Sequence, residues 1–118
     1  MIDFKAGDFV LVPYPLSDPH SVHQRPAFVV SRVQAKGTPT MAVVSLVTSK
    51  VDEVEMPGDY QVLDWMQAGL KFPAKIRLSK IVSIDANVLQ KNLGSLSRRE
   101  WKTVANEFLK IFSYWISP

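Results

Sequence analysis

The sequence predicts an α+β fold in which a small, curved, barrel-like antiparallel sheet is covered by one C-terminal helix. Residues 8–84 contain short apolar runs separated by turn-rich segments, as is typical of antiparallel strands with short connections. Residues 97–115 instead carry apolar side chains at helical spacing. A length of 118 residues, 47% of them hydrophobic and 21% charged, fits a single globular domain spanning 1–118.

Four segments have the composition of β-strands, because they are rich in β-branched and aromatic residues. They are residues 8–15, 26–33, 41–49 and 73–84. The third contains few polar residues and is predicted to be central in the sheet. In the fourth, Ile76 and Leu78 alternate with Arg77 and Ser79, which predicts one apolar and one polar face.

The segment between the third and fourth strands is less regular. Extended pieces are predicted around Val54 and at residues 60–63. Residues 64–70 are predicted to form one short helical turn with Asp64 as its N-cap.

The C-terminal segment predicts a longer helix. Ser97 and Glu100 have the spacing of a capping box at its start. Six apolar residues at helical spacing then form one stripe: Trp101, Val104, Ala105, Phe108, Phe112 and Trp115. We expect this stripe to pack on an open face of the sheet.

The composition excludes several kinds of site. The absence of cysteine excludes a disulfide scaffold, a thiolate zinc site and a cysteine nucleophile. No signal peptide is recognisable, and no stretch approaches the roughly 18 apolar residues of a membrane span, so a cytoplasmic protein without membrane contact is expected. The net charge of +3 fits either ordinary solubility or a polyanionic partner.

Arg25 is expected at the mouth of the second strand. Pro26 follows it, and proline is confined to strand starts and edges because it has no N–H to give to a sheet. In an antiparallel meander, the start of one strand lies beside the end of the next. Arg25 is therefore expected near Thr48 and Ser49, which close the third strand, while Arg77 points from the polar face of the fourth.

Two guanidinium groups and two hydroxyls without a carboxylate have the chemistry of an anion site. Such a set could bind a phosphodiester or stabilise charge that builds on it. Taken singly, the hydroxyls also fit strand termination, and the arginines fit a solvated sheet edge. A metal site is another alternative, with His20 and His23 as ligands and Asp18 as a third, although loop histidines are more often only solvated.

Four motifs resemble, in their order and spacing, the MazF/PemK family of toxins from type II toxin–antitoxin systems. They are GDFVLVPYPLSD, QRPAFVVS, VVSLVTSK and AGLKFPAKIRLSKIVSID. The resemblance covers nearly the whole chain and implies a small SH3-like antiparallel β-barrel that forms a homodimer. It also implies a sequence-specific endoribonuclease that cleaves single-stranded RNA without metal or cofactor, inhibits growth, and is neutralised by a cognate antitoxin protein. In this family the 2′-OH attacks the adjacent phosphate, which leaves a cyclic phosphate and a 5′-OH.

The resemblance also implies roles for individual residues. Arg25 and Thr48 match the positions regarded as catalytic in the family, and Ser49 matches a neighbour that contacts substrate. Arg77 matches an arginine that takes part in catalysis in PemK-like members. Pro26, which fixes the start of the second strand, would then hold Arg25 at an RNA phosphate.

Two departures from the family pattern leave the proton carriers open. Some PemK-like members have an aspartate where this chain has Ser79, and a first-loop histidine to which His20 or His23 could correspond. These three residues and Gln24 are expected to contact the substrate. Arginine effectively never loses its proton, so Arg25 is expected to stabilise the transition state, with a loop histidine as the natural alternative for the base.

Two other functions remain open at this point. A non-catalytic RNA- or protein-binding module of the same fold is one, because Ser79 replaces an acid. A DNA gyrase poison is the other, because a toxin of that class shares the fold and the C-terminal FSYWISP is loosely similar to its tryptophan-bearing tail.

Overall fold

The computed structural model covers residues 1–118 and contains six strands, one short 3-10 helix and two α-helices. The strands are β1 (Asp8–Pro13), β2 (Gln24–Val33), β3 (Met41–Thr48), β4 (Asp59–Gln61), β5 (Lys75–Asp85) and β6 (Lys91–Ser95). The 3-10 helix, Ala86–Val88, joins β5 to β6, and the chain ends with α1 (Arg98–Ile111) and α2 (Ser113–Ile116). The α+β class and the C-terminal helix are thereby confirmed.

The strands form one antiparallel sheet in the order β4-β5-β3-β2-β1-β6, so β3 is central as predicted. The edge strands β4 and β6 do not pair with each other. The sheet is therefore not closed, and the SH3-like barrel that the resemblance implies is not confirmed. Part of the β4–β5 connection instead packs against β6.

Gly69 lies directly against β6. Its φ of +82° is a left-handed value that favours glycine, and a Cβ at this position would meet the carbonyl group of Leu93. Val62, Ala68 and Leu70 of the same connection are buried. Backbone packing and apolar contacts thus hold this side of the sheet, where a barrel would have hydrogen bonds between strands.

Side-chain alternation gives the sheet two apolar faces. The face under α1 includes Phe9 and Phe28, whose ring centroids are 5.2 Å apart, together with Ile76. The opposite face carries a second cluster that includes Val10, Val29 and Val44, and Phe4 from the N-terminal segment packs into it.

The buried face of α1 is rotated relative to the predicted stripe. Val104 is buried, and Phe108 and Ile111 pack against the core. Ala105 is exposed, and Trp115 is 82% exposed in α2, which begins after a break at Phe112. The prediction of a single buried stripe from residue 101 to residue 115 was therefore wrong.

The rotation places Glu100 inside the protein. Its carboxylate accepts hydrogen bonds from the Tyr60 hydroxyl (2.8 Å), the Leu63 N–H (2.6 Å) and the Ser97 hydroxyl (2.6 Å). Burial alone would raise the pKa of Glu100, but these hydrogen bonds outweigh it and hold the pKa below its usual value. The predicted capping box is not formed, because the Ser97 hydroxyl donates to Glu100 and accepts no helical N–H.

Several predicted boundaries also need correction. The first strand ends at Pro13, and the second begins at Gln24. Residues 65–69 form turns, and the Ala68 N–H donates to the Asp64 carbonyl at 3.1 Å, which agrees with the single helical turn predicted there, whereas no strand forms around Val54. Strand β6 was not predicted, because its sequence KNLGS contains no β-branched or aromatic residue.

Neither helix has the length and hydropathy needed to cross a membrane.

Candidate functional site

The strand register brings the predicted site residues to one end of the second sheet face. Ala27 pairs with Leu46, and Leu46 pairs with Arg77 on the other side of β3. Two residues further along β2 and β3, the same register places Arg25 opposite Thr48. Paired residues of antiparallel strands point to the same face, and so do residues two apart along a strand. The four strands β1, β2, β3 and β5 therefore converge on one cleft.

This cleft has a volume of about 240 Å³. It is lined by eleven residues: Val12, Tyr14, Arg25, Pro26, Leu46, Val47, Thr48, Lys50, Glu53, Arg77 and Lys80. Four of them are cations and one is a carboxylate, so the cleft favours an anionic ligand.

Arg25 is exposed and lies in the part of β2 that pairs with β1 but not with β3. Its guanidinium lies over the ring of Tyr14, 4.3 Å from the ring centroid. This stacking holds the cation by a cation–π contact and leaves its N–H donors free to bind an anion. Pro26 lies within β2 and not at its first residue, but pairing with β3 begins only after it, as a residue without an N–H requires.

Thr48 is the last residue of β3, and its side chain also shapes the turn that follows. The Thr48 Oγ1 atom accepts a hydrogen bond from the Lys50 N–H at 3.1 Å. Strand termination and cleft lining are thus compatible roles of the same hydroxyl. The hydroxyl keeps its own proton as a donor toward the cleft.

Arg77 departs most from the prediction, because it is 6% exposed and paired with carboxylates. One guanidinium nitrogen donates to Glu53 Oε2 at 2.7 Å, and another donates to Asp59 Oδ2 at 3.4 Å. The polar face predicted for this strand is therefore buried at its start. The expectation of an anion site without a carboxylate was wrong, and the reason is tertiary, since both acids come from segments far from Arg77 in sequence.

Asp59 and Lys75 form a buried layer beneath Arg77. The Lys75 ammonium lies 3.7 Å from Asp59 Oδ2 and donates to the Glu53 backbone carbonyl at 3.0 Å. Asp59 Oδ2 also accepts from the Met56 N–H at 2.9 Å, whereas its Oδ1 is buried without a hydrogen-bond partner. These contacts tie the loop between β3 and β4 to the sheet.

The remaining predicted residues lie outside the cleft lining. Ser49 directly follows the last residue of β3, and Ser79 lies within β5 two residues after Arg77; both are exposed. His20 and His23 are exposed in the connection between β1 and β2, and Gln24 is exposed as the first residue of β2. No group of three or more histidine, aspartate or glutamate side chains that could hold a metal occurs in the chain, so the alternative site at residues 18, 20 and 23 is not assembled.

Four cleft residues with polar or charged groups were missed by the sequence reasoning: Tyr14, Lys50, Glu53 and Lys80. Tyr14 follows the first strand in the motif VPYP, and Lys50 follows Thr48, so adjacency to predicted elements could have found both. Glu53 carries no local signal, because only the fold of its loop brings it to Arg77.

Comparison with known structures gives the same fold. The toxin MazF-mt6 from Mycobacterium tuberculosis is 16% identical, with 90% of this chain and 96% of that chain covered at a TM-score of 0.68. A MazE–MazF structure from Deinococcus radiodurans is 15% identical, with 95% and 97% covered at a TM-score of 0.67. An endoribonuclease in complex with its cognate antitoxin, from a mycobacterial species, is 10% identical, with 94% and 96% covered at a TM-score of 0.65.

No curated protein sequence gave a significant match. Residues 5–112, which include every strand and the cleft, match the family described as the PemK-like, MazF-like toxin of type II toxin–antitoxin systems. Since the match spans most of the chain and agrees with the fold, this protein belongs to the PemK-like, MazF-like family of type II toxins.

Proposed function

We propose that the protein is a sequence-specific, metal-independent endoribonuclease toxin that cleaves single-stranded RNA, including mRNA, in the cytoplasm. The observation that carries the proposal is the cationic cleft in which Arg25, Thr48 and Arg77 line one cavity of about 240 Å³. Family membership supports the same activity.

In the proposed reaction, the ribose 2′-OH attacks the adjacent phosphate and the 5′ oxygen leaves. The products are a cyclic phosphate and a 5′-OH. Arg25 is exposed and stacked, so its donors can stabilise the charge that builds on the phosphate oxygens. Thr48 donates a hydrogen bond to a phosphate oxygen, and Arg77 adds positive charge from the floor of the cleft.

The exposed polar residues around the cleft are the proposed contacts to the rest of the RNA. They are His20, His23, Gln24, Ser49 and Ser79. Their exposure supports this role, because each side chain is open to a ligand that extends beyond the cleft. RNA bases present hydrogen-bonding edges in single strands, and such side chains can select among them.

The proposed partners are a cognate antitoxin and a second copy of this chain. The complexes named among the structural neighbours contain antitoxins, which supports a comparable partner here. An acidic, disordered antitoxin segment would bind the cationic cleft and order as it binds. Antitoxin binding and RNA cleavage are then mutually exclusive, so a saturated complex that still cleaves RNA would contradict the occlusion.

The activity is tested by incubating the purified protein with a long RNA of many sequence contexts in the presence of a chelator. Mapping the new ends gives the cleavage sequence. A second RNA with 2′-deoxyribose only at the mapped position should bind and stay intact, because it lacks the nucleophile. Cleavage of that RNA at the usual bond would refute the mechanism.

Two further results would favour other functions. Binding of both RNAs without cleavage of either would indicate a non-catalytic binding module. Inhibition of gyrase supercoiling by the protein would indicate a gyrase poison.

A further inference from the structure

The cleft contains one group suited to accept a proton, the Glu53 carboxylate. Its other ionisable side chains are two arginines, two lysines and a tyrosine. Free lysine and tyrosine side chains hold their protons to about pH 10, and arginine never loses its proton in proteins. The two histidines of the chain lie outside the cleft lining. Attack by a 2′-OH needs a base, so this composition singles out Glu53.

Contacts on both sides of its backbone hold Glu53 in position. The Glu53 N–H donates to the Lys50 carbonyl at 3.2 Å, and the Glu53 carbonyl accepts from the buried Lys75 ammonium at 3.0 Å. The side chain is 48% exposed while Oε2 lies 2.7 Å from Arg77, so the carboxylate faces both the floor of the cleft and the solvent. A substrate hydroxyl can therefore approach it from outside.

We infer that Glu53 is the general base that takes the 2′-OH proton, an inference that rests on the proposed ribonuclease function. As the 2′-oxygen forms its bond to phosphorus, its proton moves to the Glu53 carboxylate. The bond from phosphorus to the 5′ oxygen breaks, and water protonates that oxygen. The hydroxide formed from that water then takes the proton from Glu53, which restores the carboxylate.

This assignment also gives Arg77 a defined part in the reaction. Before attack, Glu53 and Asp59 balance the positive charge of Arg77 and Lys75. When Glu53 accepts the proton, it no longer balances Arg77. The guanidinium charge then acts on the phosphate at the moment when negative charge builds there, while Asp59 keeps Arg77 in position.

The test compares the wild-type chain with Glu53→Gln and with Glu55→Gln as a matched control. Glu55 lies in the same loop, is exposed and forms no ion pair, so its replacement removes equal charge. We expect Glu53→Gln to lower kcat by roughly a hundredfold or more, the usual contribution of a general base. The Kd for RNA blocked by 2′-deoxyribose should be unchanged or tighter, because a negative charge has left a cationic cleft. Glu55→Gln should change kcat by less than about threefold.

Chemical rescue provides a second, base-specific measurement. Formate is small enough to enter the space left by Glu53→Ala, and it should restore part of the cleavage rate, whereas chloride at equal ionic strength should not. Arg25→Ala should not respond to formate. Circular dichroism checks the folding of each variant.

Three outcomes would overturn the inference. The first is a folded Glu53→Gln variant that cleaves as fast as the wild type or faster, which would make Glu53 only a counter-ion. The second is a loss of RNA affinity that accounts for the whole loss of rate, together with no rescue by formate. The third is a wild-type chain that leaves the long RNA intact, which would refute the proposed function itself before any variant is measured.

Discussion

Replacing Glu100 by glutamine should weaken the attachment of α1 to the sheet. Oε1 of Glu100 accepts from the Tyr60 hydroxyl and the Leu63 N–H, and Oε2 accepts from the Ser97 hydroxyl and the Asp64 N–H at 3.3 Å. An amide keeps only one acceptor oxygen. Its NH₂ group would therefore face two of these donors, and the carboxylate charge that strengthens all four hydrogen bonds would be absent.

The expected cost follows from these contacts. A hydrogen bond to a charged group contributes about 1.5–3 kcal/mol net. The Ser97 hydroxyl can rotate to accept from the new amide, and the bond from Asp64 is long, so we expect a total loss of about 2 kcal/mol at neutral pH. With a urea dependence of about 1.5 kcal/mol per molar, the unfolding midpoint should fall by roughly 1.3 M.

Urea unfolding followed by circular dichroism measures this difference. The control is Glu107→Gln, because Glu107 pairs only with the exposed Lys110 on the same helix, at 2.9 Å. We expect the control to change stability by less than about 0.5 kcal/mol. A Glu100→Gln variant as stable as the control at pH 7 would refute the reasoning.

The same comparison has a defined pH dependence. The pKa of Glu100 in the folded protein lies below its ordinary value of 4.5. Its stabilisation is therefore fully present above that pH and is lost as the pH falls through the folded pKa. The gap between wild type and Glu100→Gln should shrink in acid, and a gap that widens would contradict the sign.

Further predictions concern the cleft and the sheet edge. Arg25→Ala should lower the RNA cleavage rate roughly a hundredfold with the fold intact. The control is Arg98→Ala, which removes an exposed charge on α1 that has no ion pair and should lower the rate less than about threefold. Equal rates for the two variants would remove Arg25 from the site. Gly69→Ala should destabilise the protein by roughly 2–4 kcal/mol, because its Cβ would meet the carbonyl of Leu93. Gly37→Ala has the same φ of +82° with no atom within 4 Å of the new Cβ, so in urea unfolding it should cost only about 1–2 kcal/mol.

The sequence alone determined where the main strands lie along the chain and that Arg25 stands at the start of the second one. Strand composition and proline chemistry are local properties, so β1, β2, β3 and β5 were found to within a few residues at their ends. The expected meeting of Arg25 with Thr48 followed from antiparallel connectivity, and the register of β2 with β3 agrees with it.

Tertiary structure decided the features that depend on contacts between distant segments. The buried face of α1 was set by hydrogen bonds from Tyr60 and Leu63 to Glu100, which a count of apolar residues cannot detect. At the open side of the sheet, the connection between β4 and β5 packs Gly69 against β6. The cleft acquired its carboxylate because buried Lys75 and Arg77 bind a loop 22–24 residues earlier in the chain. Charged residues that alternate with apolar ones in a strand are expected from the sequence to face solvent. They can nevertheless be buried when oppositely charged side chains from distant segments neutralise them, and only the folded chain brings such partners together.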